Sequence, residues 1–313
     1  MPNRAPRNRT LSCTADERAR LSRDIMRLEG PVHCRDLEGR LVGGDFFEVA
    51  GYFPPEFVDL LILDPPYNLS KSFNGTRFRK RTRDQYGRWF AGLIDRLLPM
   101  MKPQGTVYVC SDWTTSALEF PILESKLQVR NRITWEREKG RGAKRNWKNN
   151  TEDIWFCTVS DEYYFDVDAV KLRRRVIAPY RVAGEPQDWT QDSGGNYRMT
   201  HPSNIWTDIT VPFWSMPENT DHPTQKPEKL IAKLILASSK KGDFVFDPFV
   251  GSGTTAVVAQ KLARRWCGVE VEAEYLCWGL KRLAAARTDP AIQGYDHGVF
   301  LERNTSLGQR RKK

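Results

Sequence analysis

From Phe57 to Leu63 the chain is almost continuously apolar (Phe57-Val58-Asp59-Leu60-Leu61-Ile62-Leu63) and then stops at Asp64-Pro65-Pro66. A short apolar run ended by proline predicts a parallel strand buried on both faces, because proline cannot donate to a sheet ladder. The period then changes: Phe90, Leu93, Ile94, Leu97 and Leu98 fall three and four residues apart, which predicts a helix over 86–101, and 105–110 predicts the next strand. Residues 114–156 carry the pattern of a helix and two further strands, at 129–136 and from 153 to 158. The same alternation resumes late in the chain with a strand at 243–247, a tight loop at 248–253, a helix from 254 to 262, a strand at 266–270 and a helix at 273–287. Strands alternating with helices predict an α/β fold, a doubly wound and mostly parallel sheet whose ligands lie beyond the carboxyl ends of its strands. The loops at 64–67 and 248–253 both fall at such ends. Between them, 159–220 loses its periodicity among Gly194-Gly195, Pro202, Pro212 and Pro217, and reads as an insertion outside the core.

Composition narrows the class of partner. A chain of 313 residues, 40% hydrophobic, can bury one large core, and 28% charged residues with a net charge of +10 favour a polyanion through counterion release. Acidic membranes and ribosomes would be attracted by the same charge. The basic residues cluster: Arg77, Arg79, Lys80, Arg81 and Arg83 in one group, Arg137, Lys139, Arg141, Lys144, Arg145 and Lys148 in another, and a third at 171–175. Any one of them could be an ordinary solvated face. Interleaved with Tyr86, Trp135 and Trp147, the three together point to nucleic acid, since rings stack on bases while cations meet phosphates. The six cysteines lack the paired short spacing of a zinc site, and His33 beside Cys34 has no second pair to complete one, so reduced thiols and no metal are expected. No apolar stretch reaches the ~20 residues that cross a bilayer. The first ten residues are rich in Arg and Asn without the apolar core of a secretory signal, which suggests a flexible basic arm on a cytoplasmic protein working at the nucleoid.

Two motifs carry the chemistry. In Asp247-Pro248-Phe249-Val250-Gly251-Ser252-Gly253-Thr254, two glycines sit where a strand turns into a helix, letting backbone approach a ligand and aiming helix N-terminal amides at it. Used only for tight packing, the same turn would need no ligand. Glu270 ends the following strand, where an acidic residue in such folds bonds ribose hydroxyls. No lysine follows Gly253 to grip a triphosphate, so a nucleoside fits better than ATP. The second motif, Asp64-Pro65-Pro66-Tyr67, fixes the chain so that the Asp64 carboxylate and the Pro65 carbonyl can converge as acceptors beside an aromatic ring. A flat ligand bearing an NH₂ group matches that equipment, although a rigid turn alone would explain the prolines.

Asp64-Pro65-Pro66-Tyr67-Asn68 followed downstream by Phe249-Val250-Gly251-Ser252-Gly253 resembles the beta group of DNA amino-methyltransferases of restriction-modification type, in which the catalytic motif precedes the target-recognition region and the cofactor motif comes last. His222-Pro223-Thr224-Gln225-Lys226-Pro227 is similar to the segment opening the helix that covers the methionine end of the cofactor, and Gly44-Asp45 to the acidic site near its adenine. The resemblance spans about residues 41–287, with 160–220 matched by position only. It implies a seven-stranded Rossmann-like methyltransferase fold in permuted order: a basic arm at 1–40, a catalytic half at 41–158, a target-recognition region at 159–221, a cofactor half at 222–290 and a tail at 291–313. S-adenosyl-L-methionine is the implied cofactor. Its implied contacts are Asp45, Asp64, Thr224, Lys226, Asp247, Pro248, Phe249, Gly251, Ser252, Gly253, Thr254 and Glu270, with Asp64, Pro65, Pro66 and Tyr67 as the catalytic set.

The implied partner is double-stranded DNA, held by Arg77, Arg79, Lys80, Arg81, Arg83, Lys139, Arg141, Lys144, Arg145 and Lys148, with residues 137–220 reading bases and the target base flipped out. A cognate restriction endonuclease and a homodimer are further partners that such a family admits. Asp at position 64 resembles adenine methylases more than cytosine ones, and cytosine-N4 remains the alternative, with a non-catalytic DNA-binding protein on the same scaffold as a reading from another class. None of the cysteines follows a proline, as the nucleophile of a ring-carbon methylase does.

Overall fold

A computed structural model describes residues 5–69, 71–73, 76–78, 80–137, 144–177, 180–192 and 195–302, with side chains omitted at 71–73, 76–78 and 192. Its centre is a sheet of strands β1 (Arg40–Gly43), β2 (Val58–Leu63), β3 (Met101–Ser111), β4 (Gln128–Glu136), β5 (Thr151–Thr158), β6 (Ile205–Trp206), β7 (Phe244–Asp247) and β8 (Arg265–Glu270). Their spatial order is β1-β8-β7-β2-β3-β5-β4-β6. Every neighbouring pair is parallel except those made by β5, which runs antiparallel to both β3 and β4. The sheet thus has eight strands where seven were expected. The extra one is the two-residue β6, donated by the irregular region and too short to leave a periodic signal.

Side chains alternate across this sheet as strand geometry requires. Leu60, Ile62, Tyr108 and Cys110 point into one core layer, and Leu61, Leu63, Val107 and Val109 into the other. Helices α2 (Arg83–Leu97) and α3 (Trp113–Lys126) cover the second layer, with Phe90, Leu93, Ile94, Leu97 and Leu123 buried against it. On the opposite face lie α4 (Glu228–Ser238), α5 (Thr254–Lys261) and α6 (Ala273–Ala286). Thr82 starts α2 with a reciprocal capping box to Gln85, which explains why the helix begins three residues before its first apolar position. Because β2 leads to β3 on one side and β7 to β8 on the other, the order reverses between β2 and β7. Loops leaving the two strands therefore open on one crevice.

Two expected tails are built into the fold. Residues 9–21 are not a free arm: Leu11 and Arg9 donate backbone bonds to Asn219 and Trp214, and α1 (Ala15–Leu21) packs on α6 through Arg18–Glu274 and Lys281–Glu17 ion pairs. At the other end, Tyr295–Asp296 and Val299–Leu301 join a second sheet with Leu172–Arg175, Gly195–Thr200 and Thr190–Asp192, so the irregular insertion and the C-terminal segment form one β unit. Lys229 and Lys233 of α4 are both buried, and Lys229 ties that unit to the helix. Their ammonium groups pair with Asp208, and Lys229 also bonds the Leu301 carbonyl. Among the described residues no helix is long and apolar enough to cross a membrane.

Candidate active site

Proline ends β2 as expected, and the residues after it are tightly tied. The Tyr67 hydroxyl donates to Asp64 Oδ1 at 2.9 Å, and Lys226 Nζ donates to Asp64 Oδ2 at 2.7 Å and to Tyr67 Oη at 3.1 Å. Asn68 holds the loop beyond: its side-chain amide bonds both the carbonyl and the N–H of Arg81, closing the base of the segment that carries the Lys71–Phe73 and Thr76–Phe78 strands. Thr115 Oγ1 receives the Asn68 N–H, and Thr115 is itself fixed by Asp112, the N-cap of α3. The loop after β2 is thereby anchored to two helix starts. A further support is Tyr86, whose hydroxyl reaches the Pro66 carbonyl at 3.4 Å and Glu119 at 2.9 Å. Burial pushes the Glu119 carboxyl up to about 8, so it is protonated at neutral pH.

Opposite lies the glycine turn. Gly251 and Gly253 take positive φ of 52° and 83°. Phe249 packs its ring 6.3 Å from Phe46, in an aromatic group that continues through Phe53, Phe57, Phe244 and Phe246. Asp247 accepts the Phe249 N–H and the Thr255 hydroxyl, and its complete burial, only partly offset by those bonds, pushes its carboxyl up to about 7. Glu270 accepts the N–H groups of Gly251 and Glu272; burial raises its carboxyl above the ordinary range. Between the two loops is an open cleft bounded among others by Ile62, Asp64, Cys110, His222, Thr224, Gln225, Lys226, Asp247, Phe249, Gly251, Ser252 and Thr254. The two motifs, 183 positions apart from Asp64 to Asp247 in sequence, face each other there.

The structure sorts the expected residues. Asp64, Thr224, Lys226, Asp247, Phe249, Gly251, Ser252 and Thr254 border the cleft, and Tyr67 is bonded to two of them. Asp45, Pro248, Gly253 and Glu270 do not border it. Asp45 caps the short helix Phe46–Val49 one turn beyond β1, whose last residue pairs with Glu270, so these two acids sit together at the neighbouring strand ends. Pro65 and Pro66 serve as the rigid link between β2 and Tyr67. His222 lines the cleft beside Gly251, its ring edge-on to Tyr275 at 4.4 Å; burial lowers its imidazole to about 4, so it is neutral. One residue of the site was not anticipated: Glu152, at the start of antiparallel β5, lies 3.4 Å from both Lys226 Nζ and Tyr67 Oη, and Arg137, read from the sequence as part of the second basic cluster, pairs with its other oxygen at 2.5 Å. An acidic pair, Glu152-Asp153, heading an otherwise buried strand was the available signal.

For the basic clusters the outcome is mixed. Lys144, Arg145, Lys148 and Lys80 are exposed, Arg83 opens α2, and Arg81 stacks its guanidinium 5.0 Å from the Trp89 ring. Arg79, Lys139 and Arg141 lie outside the described residues, and of Arg77 only the backbone, in the Thr76–Phe78 strand, is described. The expected interleaving with aromatic rings holds for Trp147 alone, which is 92% exposed. Trp135 and Tyr86 are core residues, the first donating its indole N–H to the Ile209 carbonyl. Their burial follows from strand and helix phase, which charge clustering does not reveal.

The cleft's chemistry suits a cationic nucleoside. Asp64, Asp247 and nearby Glu270 are acidic, Ile62, Phe249 and Val250 give apolar walls, and the one lysine on it is already paired with carboxylates, leaving no phosphate cradle. Comparison with known proteins agrees. A family model described as DNA methylase, covering N6 and N4 enzymes, matches residues 58–278. The chain is 34% identical over 256 residues to the DNA adenine methyltransferase YhdJ of Escherichia coli (strain K12), covering 79% of this chain and 83% of that protein. It is 30% identical to the Type II methyltransferase M.HpaI of Haemophilus parainfluenzae, over 83% of this chain and 77% of that one. In fold it is similar to the crystal structure of an M1.HpyAVI–SAM complex, with a TM-score of 0.51 and 23% identity over 78% of this chain and 98% of the other.

Proposed function

Because the chain belongs to the DNA methylase family that acts on exocyclic amines, we propose that it transfers a methyl group from S-adenosyl-L-methionine to the N6 amine of adenine in duplex DNA, at a base flipped into the cleft. The observation that carries this reading is the facing of the Asp64-Pro65-Pro66-Tyr67 loop and the Phe249–Gly253 turn across one acidic, apolar-walled cleft. Bound there, the cofactor would supply an activated methyl on a sulfonium. Phe249, Gly251, Ser252, Thr254 and Thr224 would hold it, with Glu270 and Asp45 beyond the cleft at the ends of β8 and β1.

The chain's own residues then have a limited task. Asp64 accepts an N–H of the target amine and, with the Pro65 carbonyl, turns its lone pair out of the ring plane. Tyr67 stacks on the extruded base. As positive charge develops on the nitrogen, the Asp64 carboxylate lies beside it and stabilises it until a proton is lost to solvent. The lysines and arginines at 80–83 and 144–148 meet the DNA backbone, and the β unit built from 172–200 and the C-terminal segment reads the bases. A restriction nuclease of the same specificity, the counterpart implied by relatives of Type II, would be blocked by the product.

Incubating the protein with methyl-labelled cofactor and duplex DNA, RNA or protein, followed by nucleoside analysis, tests the reading. N6-methyladenine in duplex DNA is expected. N4-methylcytosine would move the target base, and label in no DNA would refute the assignment.

A further inference from the structure

The ammonium of Lys226 has three N–H bonds and three acceptors around it: Asp64 Oδ2 at 2.7 Å, Tyr67 Oη at 3.1 Å and Glu152 Oε2 at 3.4 Å. It is 8% exposed, and Glu152 is 4% exposed with its second oxygen held by Arg137 at 2.5 Å. Burial by itself would lower the lysine, but the carboxylates of Asp64 and Glu152 outweigh it and hold the ammonium above its ordinary range. Lys226 comes from the segment that leads into α4, whereas Asp64, Tyr67 and Glu152 come from β2, its loop and β5. The contact thus ties the cofactor half of the cleft to the catalytic half.

We propose that Lys226 and Glu152 are positioning residues for methyl transfer: they fix the Asp64 carboxylate and the Tyr67 phenol in register, and Lys226 is not a ligand of the cofactor. The proposal rests on the reading of Asp64 and Tyr67 as the residues that meet the target base. Its physical content is an orientation and a charge balance. One donor on each Asp64 oxygen, Tyr67 on Oδ1 and Lys226 on Oδ2, sets the plane of the carboxylate and leaves each oxygen a lone pair for the amine. A lone ammonium there would cancel the negative field that a developing methylammonium needs. Glu152 offsets part of that ammonium's charge, while Arg137, itself cationic, holds Glu152's other oxygen and keeps it from swinging onto Asp64's side of the site. Both hydrogen bonds of Lys226 and its ion pair with Glu152 go to the catalytic side, which turns the ammonium away from a cofactor carboxylate.

The experiment measures single-turnover methylation and kcat against KM for S-adenosylmethionine in wild type, Lys226→Met, Glu152→Gln and the double variant, with cofactor Kd by calorimetry. Lys226→Met is expected to lower kcat about 100-fold, the effect of misplacing a reacting group by about an ångström, while KM and Kd for the cofactor stay within about twofold. Glu152→Gln, which keeps the side-chain shape and folds if Lys226→Met does not, lowers kcat in the same direction, and the double variant is no worse than Lys226→Met. A kcat within threefold of wild type in either folded variant, or a tenfold loss of cofactor affinity in Lys226→Met, overturns the proposal. Wild-type protein inactive on DNA would instead sink the functional reading beneath it.

Discussion

Gly253 is where the glycine turn becomes α5, and its replacement by alanine has a cost that can be worked from the geometry. Its φ is +83°, and a Cβ there would lie 2.9 Å from the Cα of Gly279 on α6, a backbone atom that cannot rotate away. Two terms add: the left-handed conformation costs roughly 1–2 kcal/mol for a residue with a Cβ, and forcing α5 and α6 apart costs roughly 1–3 kcal/mol. The loss of chain freedom in the unfolded state returns about 0.4–1 kcal/mol. Gly242 provides the control, because its φ is +86° and nothing lies within 4 Å of its would-be Cβ, so Gly242→Ala carries the backbone term without the collision. For a chain of this length about 1 kcal/mol moves the melting temperature by roughly 1.5 °C. Scanning calorimetry should therefore place Gly253→Ala about 2–5 °C below Gly242→Ala, with Gly242→Ala within about 2 °C of wild type. Equal melting temperatures for the two variants would refute the close approach of α5 and α6, and with it the shape assigned to the glycine turn.

Further outcomes follow from the same structure. Asp64→Ala and Tyr67→Ala should each abolish methyl transfer while circular dichroism stays native, since Asp64 borders the cleft and the Tyr67 hydroxyl is bonded to it; near-normal turnover in either removes it from the catalytic set. S-adenosylmethionine at 100 times its Kd should stabilise the folded protein by about 2.7 kcal/mol, read as a rise in melting temperature that Gly251→Trp eliminates; an unchanged melt places the cofactor elsewhere. The Glu119 carboxyl, raised by burial to about 8 from 4.5, contributes stability that is fully present below pH 4.5 and lost as pH rises through 8. Glu119→Gln should accordingly flatten the fall of melting temperature over that window, and an unaltered slope counts against a protonated Glu119. Replacing Lys144, Arg145 and Lys148 by glutamate should weaken binding to all DNA sequences alike and reduce the salt slope by roughly three; a loss confined to one sequence would make them base readers instead.

Much of the candidate cleft was legible in the chain because it depends on local rules. An apolar run stopped by Asp64-Pro65-Pro66, and a strand entering a glycine turn at Asp247, declare buried strands that end in special loops, and the capping pair Thr82 and Gln85 lies in the sequence too. What such rules could not decide was adjacency. That β2 lies beside β7, that β5 runs backwards so that Glu152 arrives at the edge where the parallel strands end, and that Lys226 spans from one half of the cleft to the other are consequences of pairing over long separations, set by total burial and sheet twist. The same distinction explains Trp135 and Tyr86, which next to basic clusters read as stacking surfaces and in the fold are core. It also explains Tyr295–Asp296 and Val299–Leu301, whose two or three residues give no period and become strands only because Leu172–Arg175 offers them an edge. Local sequence set which kinds of side chain stand at each strand end, while the tertiary structure chose which ends meet, because a hydrogen-bonded ladder rewards contacts that no window of neighbouring residues contains.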